Sequence, residues 1–286
     1  MASKSPRAAV LCVSALIVLV ACSSCDSRPA GSGPGPGSTR PSAGSSRSPS
    51  RALTPRRALL AAAAQAHKLR SATETLTIHD SGVRNLTETG TFQIQLKPTL
   101  ELSETLTVEA AGKSTLLGGI ITGTAFYLHE AALASKIGKP WLKIRLSALH
   151  NGPLAALAPL FRSIQNNNFL NESQLFAAVR DLRVVGKDTV AGVPTTEYAG
   201  SFQATELSRT LAPSLRKALA AGLRALGNST VRCHVWIDNQ HNTRKSIEVE
   251  TINGDTIQTT VTFARFNQPI QITFPPASQT FTPPSE

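Results

Sequence analysis

The chain has 286 residues, 41% hydrophobic and 16% charged, which excludes a mini-protein, a wholly disordered chain and a multi-spanning membrane protein. Lys and Arg outnumber Asp and Glu by 29 to 18, a formal net charge of +11. A basic balance of this size is compatible with nucleic acid, an anionic membrane surface or neither, so the placement of the charges decides.

The first 21 residues read as a signal peptide. Lys4 and Arg7 precede the apolar run 8–21, which is short for a permanent span and ends in small residues. Leu19-Val20-Ala21-Cys22 has the form of a bacterial lipobox, in which the Cys22 thiol is acylated and becomes the first residue of the mature chain. Cys25 lacks a branched apolar residue at the required spacing. Two or more acyl chains on one residue hold a protein stably at a membrane without spanning it. The expectation is an exported, lipid-anchored protein on the outer face of the cell membrane.

Residues 23–50 contain 10 Ser, 5 Gly and 5 Pro, with no aromatic residue and no Leu, Ile or Val. Nothing there offsets the entropy of ordering, so 22–52 is read as a flexible tether spanning roughly 30 Å as a coil. Its four arginines against Asp26 either add weak attraction to anionic lipid or simply keep it soluble.

A body over 53–274 follows. Thr54 and Pro55 stand as cap and first helical residue before a run of strong helix formers, which predicts a helix to about Leu69. The period then changes to two. Leu76 and Ile78 alternate with Thr75 and Thr77, Phe92, Ile94 and Leu96 with Gln93 and Gln95, and Leu100, Leu102, Leu106 and Val108 share a parity. Further strands are predicted at 115–121, 124–128, 141–146, 184–189, 195–202, 231–237, 245–251 and 257–263, with Asn253-Gly254 as a hairpin turn. Glu104 sits at the parity of Leu102 and Leu106, so either a bulge intervenes or a carboxylate faces the apolar side.

Helices are predicted at 153–164, 172–180 and 205–226. The last carries leucines at four-residue spacing with Arg209, Arg216, Lys217 and Arg224 elsewhere, a pattern that either covers a sheet or lies on a membrane. The fold class is therefore α+β: a large curled antiparallel sheet, a half-open barrel of about 10–11 strands, with several helices covering the open side. The Pro-rich tail 275–286 gives no helix or strand signal.

Motifs for chemistry are missing. The six histidines form no metal-ligand spacing, so neither metal nor cofactor is expected. Gly112-Lys113-Ser114 lacks the earlier glycine of a phosphate-binding loop, and no Gly-x-Ser-x-Gly or Gly-x-Gly-x-x-Gly is present. With only 14 aromatic residues and no basic run interleaved with them, a nucleic-acid platform is unsupported. The expectation is no enzyme and no catalytic residue. Cys233 shares the parity of Val231, Val235 and Ile237, which points it into the apolar side; a bridge to Cys25 is the alternative. Asn85, Asn171 and Asn228 head sequon triplets that are incidental in a bacterial lipoprotein.

Four stretches carry a family resemblance: Gly123-Thr-Ala-Phe-Tyr-Leu-His, Gly138-Lys-Pro-Trp141-Leu-Lys-Ile, Val190-Ala-Gly-Val-Pro-Thr-Thr-Glu-Tyr198-Ala-Gly and Val235-Trp236-Ile-Asp238. In order and spacing they resemble the actinobacterial lipoproteins of the LppX/LprA/LprF/LprG family. The resemblance implies a half-open barrel similar to LolA/LolB carriers, an acyl-binding cavity, and binding or carriage of lipids or glycolipids without catalysis. An envelope transporter or acceptor protein would then be a partner.

Parity and helix faces give candidate cavity-lining residues: Phe92, Ile94, Leu106, Val108, Phe126, Leu160, Phe161, Leu175 and Phe176. Trp141, Tyr198 and Trp236 are either core or outer covers. The competing reading is a tethered envelope interaction or sensor module with a solid core and no lipid ligand. Signal and tether account for much of the basicity, and the +6 left on residues 53–286 suits work beside an anionic membrane.

Overall fold

The computed structural model describes residues 53–82, 85–147, 179–203, 205–206, 229–252 and 254–283. Helix α1 spans Pro55–Ala66 and ends one turn before the expected Leu69, with Lys68 and Leu69 turning back on the carbonyls of Gln65 and Ala66. Its start needs no side-chain cap: the Thr54 carbonyl accepts from the Ala58 N–H at 3.0 Å while the Thr54 hydroxyl makes no capping bond, and Pro55 supplies the helical φ at N1. Ala58, Leu59, Ala62 and Ala63 form its buried stripe.

The strands are β1 (Ser71–Asp80), β2 (Leu86–Gln95), β3 (Glu101–Ala110), β4 (Lys113–Ile121), β5 (Ala125–Glu130), β6 (Trp141–Arg145), β7 (Arg180–Val190), β8 (Val193–Gln203), β9 (Thr230–Asp238), β10 (Thr243–Ile252), β11 (Asp255–Ala264) and β12 (Thr280–Phe281). They form one twelve-stranded sheet ordered β12-β6-β5-β4-β3-β2-β1-β11-β10-β9-β8-β7. Every pairing is antiparallel except β12 with β6, and the edges β12 and β7 do not meet, so the sheet is not closed.

Several boundaries differ from the sequence reading, each for a local reason. Helix α2 (Ala131–Ile137), about two turns of good helix formers, lies between two strands; it stops at Gly138, whose φ of 69° is the left-handed cap that glycine adopts freely. Arg180, expected to end a helix, opens β7. The segment 277–281, devoid of a strand signal, makes a 3-10 turn and then β12, where Thr280 and Phe281 pair with Trp141 and Leu142. Two residues are too short for periodicity to register.

The expected hairpin turn between β10 and β11 has Ile252 paired to Asp255 and Gly254 at φ 91°, with Asn253 outside the described residues. Gly112 proves to be a hairpin residue too: Ala111 and Gly112, at φ 50° and 72°, form the two-residue turn between β3 and β4. The expected helices at 153–164 and, up to residue 178, at 172–180, and that at 205–226 beyond Thr205 and Glu206, lie outside the described residues, so among those residues the α-helices are α1 and α2. None there is long and apolar enough to cross a membrane.

The chain after β11 crosses back over the sheet. Asn267 accepts from the Arg70 N–H at 2.8 Å, the Gln268 carbonyl accepts from the Ser71 hydroxyl at 2.5 Å, and the Phe274 ring packs, tilted by 57°, 5.9 Å from Tyr127 on the face opposite α1. The Lys139 ammonium donates to the Ser278 carbonyl just before β12. This strap ties the two ends of β1–β6 together.

Candidate functional site: an inner face with buried carboxyls

We call the face covered by α1 the inner face. At the β7–β9 end, α1 packs Ala58, Leu59 and Ala62 against Tyr198, Phe202, Val231, Cys233, Val235 and Ile237. Cys233 is 3% exposed with its Sγ 3.6 Å from the Gly200 carbonyl, as its parity predicts; Cys25 and Cys22 lie outside the described residues. Tyr198 is thereby core, and burial pushes its phenol above the ordinary range.

The other end is built by β1–β6 and β11. Leu76, Ile78, Phe92, Ile94, Leu102, Ile121, Ile257, Val261 and Phe263 form one buried cluster, with Leu106, Phe126 and Ile144 packed on it. Phe92 and Ile94 are 2% and 0% exposed. Register places five of the candidate residues on this single face: Gly90 pairs with Leu106, Glu88 with Val108, Phe92 with Glu104, and the row Leu102–Ile121–Phe126 continues it across β4 and β5. Leu160, Phe161, Leu175 and Phe176 lie outside the described residues.

The ambiguity at Glu104 resolves. The β2–β3 and β3–β4 registers run without a shift, so no bulge intervenes and the carboxylate faces the apolar side. Gly119 stands directly opposite, and a Cβ there would lie 2.3 Å from Glu104 Oε1, so the glycine leaves the space that the carboxyl folds into. Glu104 has company. Glu74 pairs with the same Phe92 from the other side, Glu88 lies two inner positions along β2, and Glu248 and Glu250 occupy successive inner positions on β10.

Burial, reinforced by the neighbouring Glu104 charge, pushes Glu74 up to about 8, and burial with Glu88 beside it pushes Glu104 up to about 7. Burial raises Glu88, and it lifts Glu248, with Glu250 adding repulsion, and Glu250 itself to about 7 each. Desolvation disfavours the charged form, and a like charge nearby does so again. Glu74 and Glu88 share the apolar parity of their strands in the sequence, whereas Glu248 and Glu250 alternate with Ile247 and Val249 and reach this face only through the register.

Asp238 shows the opposite solution. Its burial would raise it, but the Asn242 N–H (2.8 Å) and side-chain amide (3.1 Å) and the Arg244 guanidinium (2.7 Å) outweigh that and hold the carboxyl below its ordinary value. It sits on the outer parity and organises the β9–β10 turn, while Trp236 donates to Asp188 at 2.9 Å under the Lys245 ammonium. Trp141 packs 5.1 Å from His129, on the outer face as well.

A pocket between α1 and β11, lined by Ala62, Ala66, Leu69, Phe263 and Phe266 among others, holds about 10 Å³, room for one water and not for an acyl chain. Among the described residues no group of His, Cys, Asp or Glu is arranged to hold a metal ion.

No family model matches the chain, and no curated protein matches it by sequence. Solved structures do. LprF from Mycobacterium bovis is 12% identical over 77% of this chain and 96% of its own, with a TM-score of 0.47. Mycobacterium tuberculosis lipoprotein LppX is 17% identical over 76% and 99%, with a TM-score of 0.44. A LolA superfamily protein from Nitrosomonas europaea is 8% identical over 77% and 96%, with a TM-score of 0.25. The chain is thus similar to LprF and LppX, two lipoproteins of the family that its sequence motifs resemble.

Proposed function

We propose that this chain is an exported lipoprotein that binds or carries lipids or glycolipids at the cell envelope, without catalysis. Residues 1–21 are a signal peptide, Cys22 bears the acyl anchor, 22–52 is a tether and 53–274 is the lipid-binding body with its tail at 275–286. Acyl chains are sheltered on the inner face, and an envelope transporter or acceptor protein loads or unloads them. The observation that carries the reading is the apolar strip running on one face from Phe126 on β5 through Leu102, Ile94 and Phe92 to Val261 on β11. A chain laid over the partly exposed residues packed on this strip, such as Leu106, Phe126 and Ile144, gains about 25 cal/mol per Å² of apolar area removed from water.

Native mass spectrometry on the acylated protein, extracted from an actinobacterial host, tests it. Bound lipid is expected on the parent, and Leu106→Trp or Val108→Trp should lower the occupancy while far-UV circular dichroism and the anchor stay unchanged. Empty parent protein, under conditions that retain lipid on a control carrier, would refute the reading.

A further inference from the structure

We infer that the outer face of β4–β6 docks the body on an anionic lipid bilayer, with Trp141, Tyr127, Phe274 and Leu116 at the headgroup level and Lys143 among the phosphates. This is independent of what the inner face binds, and uses the reading of Cys22 as an anchor only for the body's nearness to the bilayer. Register gathers the patch. Gly118 pairs with His129 and His129 with Trp141, while Tyr127 pairs with Lys143 one row along. The Trp141 indole reaches across β5, its far edge 3.5 Å from where a Cβ of Gly118 would stand. The strap adds Phe274, 5.9 Å from Tyr127. Phe274 and Leu116, the latter two residues along β4 from Gly118, are 41% and 53% exposed.

Charge is a second, independent observation. Residues 110–145 hold Lys113, Lys136, Lys139, Lys143 and Arg145 against Glu130 alone, so this end carries +4 of the +6 on residues 53–286. The strap from 266 to 283 adds no charge of either sign. On β1–β3 the same outer face has threonines and no Phe, Tyr or Trp, and its acids on β3, Glu101 and Glu109, stand at the two ends of that strand. Aromatic rings and cations thus coincide at one end of one face.

The chemistry of that combination selects a bilayer. Trp and Tyr have an apolar body and a polar edge, which suits them to the boundary between acyl chains and headgroups. A lysine beside them lays its stem on apolar surface and keeps its ammonium in the wet layer; Lys143 already lies in this way, 5.2 Å over the Tyr127 ring. Each Lys or Arg near an anionic surface strengthens partitioning by about fivefold. An acidic protein would engage the cations and leave the rings without a role. A body held on roughly 30 Å of coil also meets the bilayer at high effective concentration, so a patch of a few side chains suffices.

The chain supplies its own reporter, because it has two tryptophans: Trp141 in the patch and Trp236, 6% exposed, elsewhere. The test is fluorescence quenching of the full acylated protein on vesicles whose lipids carry bromine on the upper acyl carbons. The vesicles are phosphatidylcholine alone or with about 30% phosphatidylglycerol. Quenching should be at least about twofold greater on the anionic vesicles and fall to the neutral level in about 0.5 M NaCl. It should disappear in Trp141→Phe. The double variant Lys136→Glu/Lys143→Glu should quench only to the neutral level while its far-UV circular dichroism stays unchanged.

Equal quenching on neutral and anionic vesicles overturns the inference, as does quenching that survives Trp141→Phe. Absence of quenching on anionic vesicles also overturns it and turns attention to an acidic protein as the occupant of the patch. Flotation with neutral vesicles reports the acyl anchor separately, so failure of the anchor and failure of docking are told apart. Should the lysine variant not fold, the salt dependence of the parent chain decides. The lipid content of the inner face, read by native mass spectrometry, is untouched by any of these results.

Discussion

The two faces of β1, β2 and β3 are made from alternate residues of the same thirty positions, yet they distribute polarity in an unexpected way. The outer face is a threonine array, with Thr75, Thr91 and Thr105 in one row and Thr77, Thr89 and Thr107 in the next. The inner face is Leu, Ile and Phe interrupted by three glutamates. Three glutamates lie on the buried side, while Glu101 and Glu109 lie with the hydroxyls on the other. A sheet optimised only for stability would do the reverse, since threonine favours strands at little cost anywhere and an ionised carboxyl is expensive away from water.

The largest expected effect probes the apolar part of that contrast. Phe92→Ala removes the ring that separates Glu74 from Glu104 and should cost about 3–5 kcal/mol in denaturant unfolding, while Thr91→Ala next to it costs a tenth of that or so. Asp238→Ala comes next, at about 2–4 kcal/mol, because it leaves the Arg244 guanidinium and Asn242 amides without their acceptor. The Asp238 carboxyl is held below its ordinary value, so its contribution is complete above the unfolded value near 4 and disappears as pH falls through the lower folded value. Stability of the variant should lose that part of the acid limb.

The inner glutamates have the opposite sign. Their unfolded forms ionise from about 4.5 upward while Glu74 and Glu104 keep their protons to about 8 and 7, so the folded state binds more protons in that window and stability falls as pH rises through it. Glu104→Gln should raise stability at pH 8 by on the order of 1 kcal/mol and leave it nearly unchanged at pH 4. Midpoints of urea unfolding across that range check both statements, and a destabilised Gln variant at pH 8 would mean that the carboxylate is compensated after all. The smallest effect is expected outside: Thr91→Glu, a new charge on the exposed face, should stay within about 0.5 kcal/mol of the parent at every pH.

Much of the fold was legible because antiparallel strands with one wet face write their period into the sequence. Eleven of the twelve strands and the first helix follow from alternation, turn residues and a Pro at N1. Helix α2, seven residues long, and β12, two residues long, are too short for a period to declare itself, and β12 forms only because the strap after β11 brings residue 280 beside Trp141. The stretches that carry the family resemblance turn out to build scaffold: the Ala191-Gly192 turn, Trp236 on Asp188, and Asp238 at the β9–β10 turn. The carboxyls of the inner face lie outside them.

By itself the sequence determined which residues share a face, because side chains alternate along any strand whatever its neighbours are. It thereby put Glu74, Glu88 and Glu104 each on the apolar parity of its own strand, while Glu248 and Glu250 alternate with Ile247 and Val249. Only the tertiary structure decided that these five parities are one side of one sheet, that no bulge rotates Glu104 away, and that Gly119 gives it room. Strand order and register are set by pairings between residues far apart in the chain, and neither leaves a local trace in the sequence.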